Sequence, residues 1–272
     1  MTGEKGSGYY DFKAEMGVPY FHFGGLRATD RLTELSNVEE GHDLLAVGCG
    51  TGYSSCYIAK IYGCRVVGFD ISEAMIARAK ERAEEMSFTD DVRFEVGDAH
   101  DLQFEDESFD TVITEFVTVF LDKPRAFSEF VRVLRPGGYV GVNELYKAEE
   151  IPPEAAEVIS EVEAGFREAV GLPFHLPTTA EWEVWFAGAG LDDVHLEVVN
   201  YDYSFGEYVE SMGGLMRALG LVGRSIYQLL FNREMKDTLW KVGAIKDVLV
   251  RNRKTRPYTG DILCVGRKQV DG

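Results

Sequence analysis

Glycines stand at 48, 50 and 52, directly after the apolar run LLAV and on either side of Cys49 and Thr51. Glycine gives up the most backbone freedom on folding, so three of them alternating at one turn mark a place where side chains are excluded. A turn of this kind, between a strand and a helix, can offer amides and the positive end of a helix to a polar or anionic group. Asp70 follows Gly50 by 20 residues and closes the stretch RVVGFD. A carboxylate there can bind both hydroxyls of a ribose. Asp98 closes VRFEVGD, where its carboxylate can accept a hydrogen bond from an amino group on a purine. Each aspartate alone reads equally well as a loop cap. Together with the glycine turn, on successive strands, they are hard to obtain by accident. The G-x-G-x-G spacing fits neither of two familiar alternatives. A dinucleotide fingerprint wants glycine at 53, where the chain has Tyr53, and no Gly-Lys-Ser/Thr completes a Walker loop.

These residues need a scaffold, and hydrophobic periodicity supplies one. Short apolar runs predict strands over 42–48, 65–70, 92–98, 109–116 and 139–144. Helical spacing alternates with them over 27–36, 51–63, 72–86 and 123–138. Ser72 is the expected N-cap of the third, with Glu73 in its first turn. Pro136-Gly137-Gly138 is the expected stop of the fourth. Strands alternating with helices imply right-handed crossovers and a parallel sheet. Further on, helices are expected over 152–170 and 178–189, a sixth strand over 191–199, mostly helix over 204–254 and a last strand over 259–268.

The segments VGCGTG, GFDIS, GDAHDL, FDTVITEF and LRPGGYV, taken in order, resemble the successive motifs of class I S-adenosylmethionine-dependent methyltransferases. The resemblance covers about residues 42–146. It implies an α/β fold: a Rossmann-like, seven-stranded, mostly parallel sheet with helices on both faces and a helical lid inserted after strands five and six. The final strand would run antiparallel. The chain would be a single methyltransferase domain over 1–272. Within it lie an N-terminal helical cap (1–40), a cofactor-binding core (41–146) and lid insertions (147–190 and 200–257). The implied cofactor is S-adenosyl-L-methionine, leaving as S-adenosyl-L-homocysteine, with no metal. Gly48, Cys49, Gly50 and Gly52 would lie against its methionine part, where a Cβ would collide with the homocysteine portion. Asp70 would hold the ribose, Ile71 would pack on the adenine, and Asp98 with Ala99 would contact the adenine edge. Glu115 and Phe116 would line the methyl-transfer site. One departure stands out: the acid usual just before the glycine loop is replaced by Ala46.

Methyl transfer is an in-line displacement that gains from positioning and from exclusion of water. Both insertions and the aromatic stretch YYDFKAEMGVPYFHFGG (9–25) are placed to roof the site. Aromatic faces attract a sulfonium, which makes Tyr9, Tyr10, Tyr20, Phe21 and Phe23 pocket candidates, set against ordinary packing. Tyr20, His22 and Glu144 are the candidates for catalysis: His22 as a general base, Glu144 to hold or deprotonate an acceptor. Structural roles weigh as much or more for each. His175, in LPFHLP, is a weaker candidate on a stiff loop.

Composition narrows the acceptor. The net charge of −18 opposes nucleic acid as a partner, and no N-P-P-Y or D-P-P-Y ends the fourth strand. Ten Lys or Arg between 217 and 256, against three acids, give that segment +7 and the rest −25. Arg217 and Arg224 share a helix face and suit an acceptor with an acidic group. The same apolar and basic pair suits a membrane surface that delivers a lipid or quinone, the less favoured reading. A third class is a protein that binds the cofactor without turnover. The expectation is therefore a small-molecule methyl acceptor, with the methylated atom and the oligomeric state left open. Four scattered cysteines, no signal peptide and no apolar run of spanning length fit a cytoplasmic protein.

Overall fold

The structure, a computed structural model, describes Tyr10, Lys13, Ala14, His22 and residues 24–87, 90–199, 219, 220, 223 and 252–270. Tyr9, Tyr20, Phe21, Phe23, Arg217, Arg224 and nearly all of the 200–257 insertion lie outside the described residues.

Seven strands form one sheet in the order β3-β2-β1-β4-β5-β7-β6. They are β1 (Asp43–Val47), β2 (Arg65–Asp70), β3 (Val92–Val96), β4 (Phe109–Glu115), β5 (Leu134–Lys147), β6 (Leu191–Val199) and β7 (Thr259–Lys268). Strands β1 to β5 pair in parallel, and β7 runs antiparallel between β5 and β6. The carboxyl ends of β1 to β5 thus share one edge, where ligands of open parallel sheets sit.

Alternation along the strands divides the core into two layers. Leu44, Ala46, Val66 and Ile113 face α1 (Gly25–Leu35), α2 (Tyr53–Tyr62) and α3 (Glu73–Met86), packing with Leu32, Ile58, Ile76 and Ala79. Leu45, Val47, Val112 and Val142 face α4 (Lys123–Val133) and α6 (Thr179–Gly188), packing with Phe127, Phe130, Trp182 and Phe186. Helix α5 (Pro153–Val170) belongs to neither layer. Its Ile159, Phe166 and Val170 form a third cluster with Val119, Leu145, Phe174 and Leu176, against which Tyr10, Phe116 and Phe120 pack. That cluster takes Leu145 from the last residues of β5 and otherwise lies past the end of β4.

Local chemistry fixes most boundaries. Ser72 caps α3, its hydroxyl accepting from the Met75 amide at 3.2 Å. Thr178 and Glu181 form a reciprocal capping box at α6. Trp182 and Phe186, fully buried, place α6 in a core layer rather than in the roof expected for all of 147–190. One boundary differs by several residues. The helix expected over 123–138 ends at Val133, and β5 begins at Leu134. Leu134 pairs with Phe109, and the next partner of β4 is Tyr139, opposite Thr111. Pro136-Gly137-Gly138 therefore bulges out of a strand instead of stopping a helix. Gly137 has φ +82°, and a Cβ on Gly138 would meet the Asp110 carbonyl at 2.6 Å. Pairing across the sheet outweighs the helical pattern here.

Candidate active site

The glycine turn joins β1 to α2, and Asp70 at the end of the neighbouring β2 holds it. The Gly50 amide donates to Asp70 Oδ2 at 2.9 Å, and the Ser72 amide donates to Oδ1 at 3.0 Å. The amides of Gly48 and Cys49 donate to the Phe69 carbonyl at 2.7 and 3.1 Å, and that of Gly52 to the Cys49 carbonyl at 3.0 Å. These four amides serve the turn's own shape, not a ligand as the sequence suggests. Burial pushes the Asp70 carboxyl up from its ordinary range, against the lowering effect of the amides of Ser72, Gly50 and Ile71.

Gly48, Gly50 and Gly52 have φ of +69°, +53° and +76°, a region costly to residues with a Cβ. A Cβ on Gly48 would run into the Val117 side chain, and one on Gly52 would meet Phe94 Cζ at 2.6 Å and Ala79 Cβ at 2.8 Å. For these two positions the expected collision with a homocysteine portion is corrected. The protein's own side chains exclude the methyl group.

Arg82, which sequence reading missed, reinforces the turn from α3. Its buried guanidinium donates to the Thr51 carbonyl at 2.7 Å and to the Thr51 hydroxyl, and lies 5.4 Å from the centre of the Tyr53 ring. Burial lowers its pKa to about 10. Cys49 is no nucleophile: burial, then the Asp70 charge, raises its thiol well above the usual range.

Beside Asp70, two large apolar side chains are exposed, Ile71 at 68 % and Val96 at 47 %. They form an apolar shelf at the ends of β2 and β3. Asp98 stands next to it. Burial tends to raise its carboxyl, but the His100 amide (2.9 Å) and imidazole (Nδ1 at 2.7 Å) outweigh that and hold it low. His100 Nε2 accepts from the Asp122 amide at 3.0 Å. The proton of His100 therefore sits on Nδ1 and is donated to Asp98. Ala99 turns its methyl into the core beside Leu102 and Phe69.

Across β1, the end of β4 carries Glu115. Its side chain is 9 % exposed. Oε1 accepts from the Thr29 hydroxyl at 2.8 Å and from Asn143 Nδ2 at 3.5 Å, and His22 Nδ1 lies 3.5 Å away. Asn143 Nδ2 also lies 3.3 Å from His22 Nδ1, and His22 Nε2 shares a hydrogen bond of 3.3 Å with the Ser54 hydroxyl. Both His22 nitrogens are thus engaged with the pocket wall. A cavity of about 40 Å³ lies between the glycine turn, Ser54, Ser55, His22 and Glu115.

Phe116, next along, holds φ +59°, rare for an aromatic residue. Glu144, on β5 one residue past its last pairing with β4, fixes the turn that follows. Its Oε1 accepts from the amides of Val117 (2.7 Å) and Thr118 (2.6 Å) and from the Thr118 hydroxyl (2.7 Å). Glu144 is 2 % exposed, and its pKa is pushed up to about 7 by burial. Phe116 packs edge-on against Phe120 and Phe166, the latter from α5. Tyr10 packs against the same cluster; burial, then the Asp70 charge, raises its phenol well above the usual range. His175 stands apart, pairing with Glu181 at 3.6 Å on the α6 side.

The arrangement fits an adenosyl amino-acid ligand. It offers a carboxylate beside a fixed turn, an apolar shelf with a second carboxylate, and a small cavity, lined by Glu115, Ser54 and Ser55 among apolar side chains, on the far side of the turn. Among the described residues no group of three or more His, Cys, Asp or Glu could hold a metal ion, and no helix is long and apolar enough to cross a membrane.

Known proteins share this plan. Residues 45–142 match the family model described as a methyltransferase domain. Phosphoethanolamine N-methyltransferase 1 of Arabidopsis thaliana is 34 % identical over 149 residues, which are 54 % of this chain and 30 % of that protein. The chain thus spans less than a third of the plant relative's length. Among solved structures, phosphoethanolamine N-methyltransferase 2 of Haemonchus contortus, in complex with S-adenosyl-L-methionine, superposes with a TM-score of 0.66 at 21 % identity. The match covers 92 % of this chain and 54 % of that one. The cyclase SpnF superposes at 0.64 with 23 % identity, covering 90 % and 82 %. The seven-stranded, mostly parallel sheet is the Rossmann-like fold of class I methyltransferases.

Proposed function

We propose that this chain, whose residues 45–142 form a methyltransferase domain of the S-adenosylmethionine-dependent class, transfers a methyl group to a small-molecule acceptor. S-adenosyl-L-methionine is the donor and S-adenosyl-L-homocysteine the product. The carrying observation is the joint held by Asp70, whose carboxylate takes the Gly50 amide from one strand end and the Ser72 amide from its own. It leaves a rigid carboxylate next to the exposed Ile71, where a nucleoside sugar and base would rest.

When bound, the donor supplies a methyl on a sulfonium, and the carbon–sulfur bond breaks in line with attack by the acceptor. The chain's own part is placement and exclusion of water. Asp70 accepts from the ribose hydroxyls with the lone pairs that its two amides leave free. Ile71 and Val96 cover the base, and Asp98 accepts from its amino group. Phe116, Phe120 and Phe166 present an apolar, aromatic wall at the end of β4, suited to a sulfonium and unsuited to water. With both His22 nitrogens bonded within the wall, His22 positions Glu115 and Asn143 rather than removing a proton.

The acceptor is an amine or another small nucleophile carrying an acidic group, a reading supported by relatives named for phosphoethanolamine and by the basic 217–256 segment. A second reading, cofactor binding without turnover, is favoured by the fold neighbour named as a cyclase. Titration calorimetry of the full chain with S-adenosyl-L-homocysteine should give a micromolar Kd or tighter. Methyl-labelled donor should then label phosphoethanolamine or another acidic amine. Absence of heat with both donor and product removes the proposal; tight binding with no labelling across amine, phenol and carboxylate acceptors favours the second reading.

A further inference from the structure

Glu115 is a buried carboxylate with half of its bonding capacity unused. Every hydrogen bond it accepts among the described residues lands on Oε1, and both donors, the Thr29 hydroxyl and the Asn143 amide, are neutral. His22 Nδ1, 3.5 Å from Oε1, is shared with the Asn143 amide 3.3 Å away. No Lys or Arg pairs with Glu115 among the described residues. Its side chain is nine-tenths buried. A buried carboxylate with no Lys or Arg beside it is costly to the fold, so the position favours a cationic guest.

The same cavity holds a second orphan. Ser55 Oγ is buried and has no hydrogen-bond partner among the described residues. The space between them, about 40 Å³, exceeds what one water needs and is a fit for an ammonium group with its carbon. Its walls include Gly48, Cys49 and Gly50, the segment on which the donor's amino-acid end would lie. Ala46 lines the cavity too, one strand over from Glu115. The family resemblance implies an acid at that position; here a methyl group stands there, and the acid lining the cavity is Glu115 from β4.

We infer that Glu115 binds the α-ammonium group of S-adenosylmethionine, with Ser55 Oγ as a further acceptor, and so replaces the acid missing at position 46. The assignment rests on the donor named above and adds to it a specific partner. It makes the amino group, not the sulfonium alone, a determinant of cofactor affinity.

The test is a cycle between protein and ligand, read by calorimetry on the full chain. The probes are S-adenosyl-L-homocysteine and its analogue lacking only the α-amino group. The wild-type chain should bind the amino form at least tenfold more tightly. Glu115→Gln, which keeps an acceptor for Thr29 and Asn143, should bind the two forms within twofold of each other. Ala46→Asp added to Glu115→Gln should restore a preference of at least fivefold, which a merely structural role would not produce. A wild-type chain indifferent to the amino group overturns the assignment whether or not the variants fold. So does a preference that survives in Glu115→Gln, or a double variant that regains none. A wild-type chain that binds the analogue but not the amino form overturns it as well. Failure to bind either probe removes the donor itself, and the assignment with it.

Discussion

Two turns at the carboxyl edge of the sheet are built to one plan from different materials. The turn after β1 is pinned by Asp70 from the neighbouring β2, and the turn after β4 is pinned by Glu144 from the neighbouring β5. In each, a carboxylate on one strand captures amides of the turn that follows its neighbour. The first turn bends through glycines with positive φ. The second bends through Phe116 at φ +59°, a strained conformation costing about 1–3 kcal/mol. Glycines make the first turn cheap and visible; in the second, strain is held by a single buried acid. The two also touch, because Val117 of the second fills the space that a Cβ on Gly48 of the first would need. A site on this edge is therefore as rigid as its weaker turn.

The largest effect should come from removing the acid that holds the strained turn. Glu144→Ala leaves two amides and a hydroxyl without their acceptor, at roughly 1–3 kcal/mol for each buried orphan. A loss of about 4 kcal/mol in urea denaturation is expected, together with loss of cofactor binding. Glu144→Gln keeps one acceptor oxygen and should lose less than half as much near neutral pH. The same residue sets a pH dependence. Its folded pKa, about 7, lies above the unfolded value near 4.3. Between those values the folded state keeps a proton that the unfolded state has lost. Stability from this group is thus full at acid pH and falls as pH rises through 7, by on the order of 3 kcal/mol in all. The difference between wild type and Glu144→Gln should shrink, or change sign, from pH 5 to pH 8. A difference constant over that range would show that Glu144 titrates normally and that the second turn is held otherwise.

The contact between the turns gives the next effect. Gly48→Ala carries a left-handed backbone cost of about 1–2 kcal/mol and a collision with Val117. Adding Val117→Ala should remove the collision and leave only the backbone part. A double-mutant cycle in denaturant should then show coupling of about 1 kcal/mol or more. Additive costs would mean that the glycine yields space to a ligand and not to Val117, which restores the sequence-based explanation.

This contrast also explains what was legible in the sequence. The alternation of strands and helices, the glycine turn, Asp70 and the Ser72 cap were readable because spacing along the chain carries them: strand, turn and carboxylate follow one another within 30 residues. The second turn has no such mark. Glu144 meets Thr118 from 26 residues away, Thr29 meets Glu115 from 86, and Arg82 meets Thr51 from 31. None of these pairs follows from propensity or periodicity; each exists only because the fold brings distant segments together. Glu144 and His22 were readable as polar groups near the site, but not their tasks, which depend on which of their atoms are already bonded. The limit at residue 134 has the same origin, since the partner that turns helix into strand is Phe109.

The smallest effect separates the two aspartates, and it follows from what holds each. Asp70 is held by backbone amides, which no substitution short of proline removes. Asp98 is held by the His100 amide and by one side chain, the Nδ1–H of His100, whose other nitrogen takes the Asp122 amide at the start of α4. His100→Ala breaks both imidazole bonds at once. The Asp98 side chain is half exposed, and pairs of this kind contribute at most about 1 kcal/mol. A fall in Tm of roughly 2–4 °C at neutral pH is the ceiling for a domain of this size. The sign with pH is opposite to that of Glu144. His100 holds the Asp98 carboxyl below its unfolded value, so its contribution is present above that value and is lost as pH falls through the lower, folded one. The melting difference between wild type and His100→Ala should therefore narrow on acidification below pH ~4, while a carboxyl signal of Asp98 followed by NMR moves up toward the ordinary range in the variant. A difference that stays undiminished in acid assigns the whole effect to the bond between His100 and Asp122, and Asp98 then stands at the adenine shelf held by the His100 amide alone.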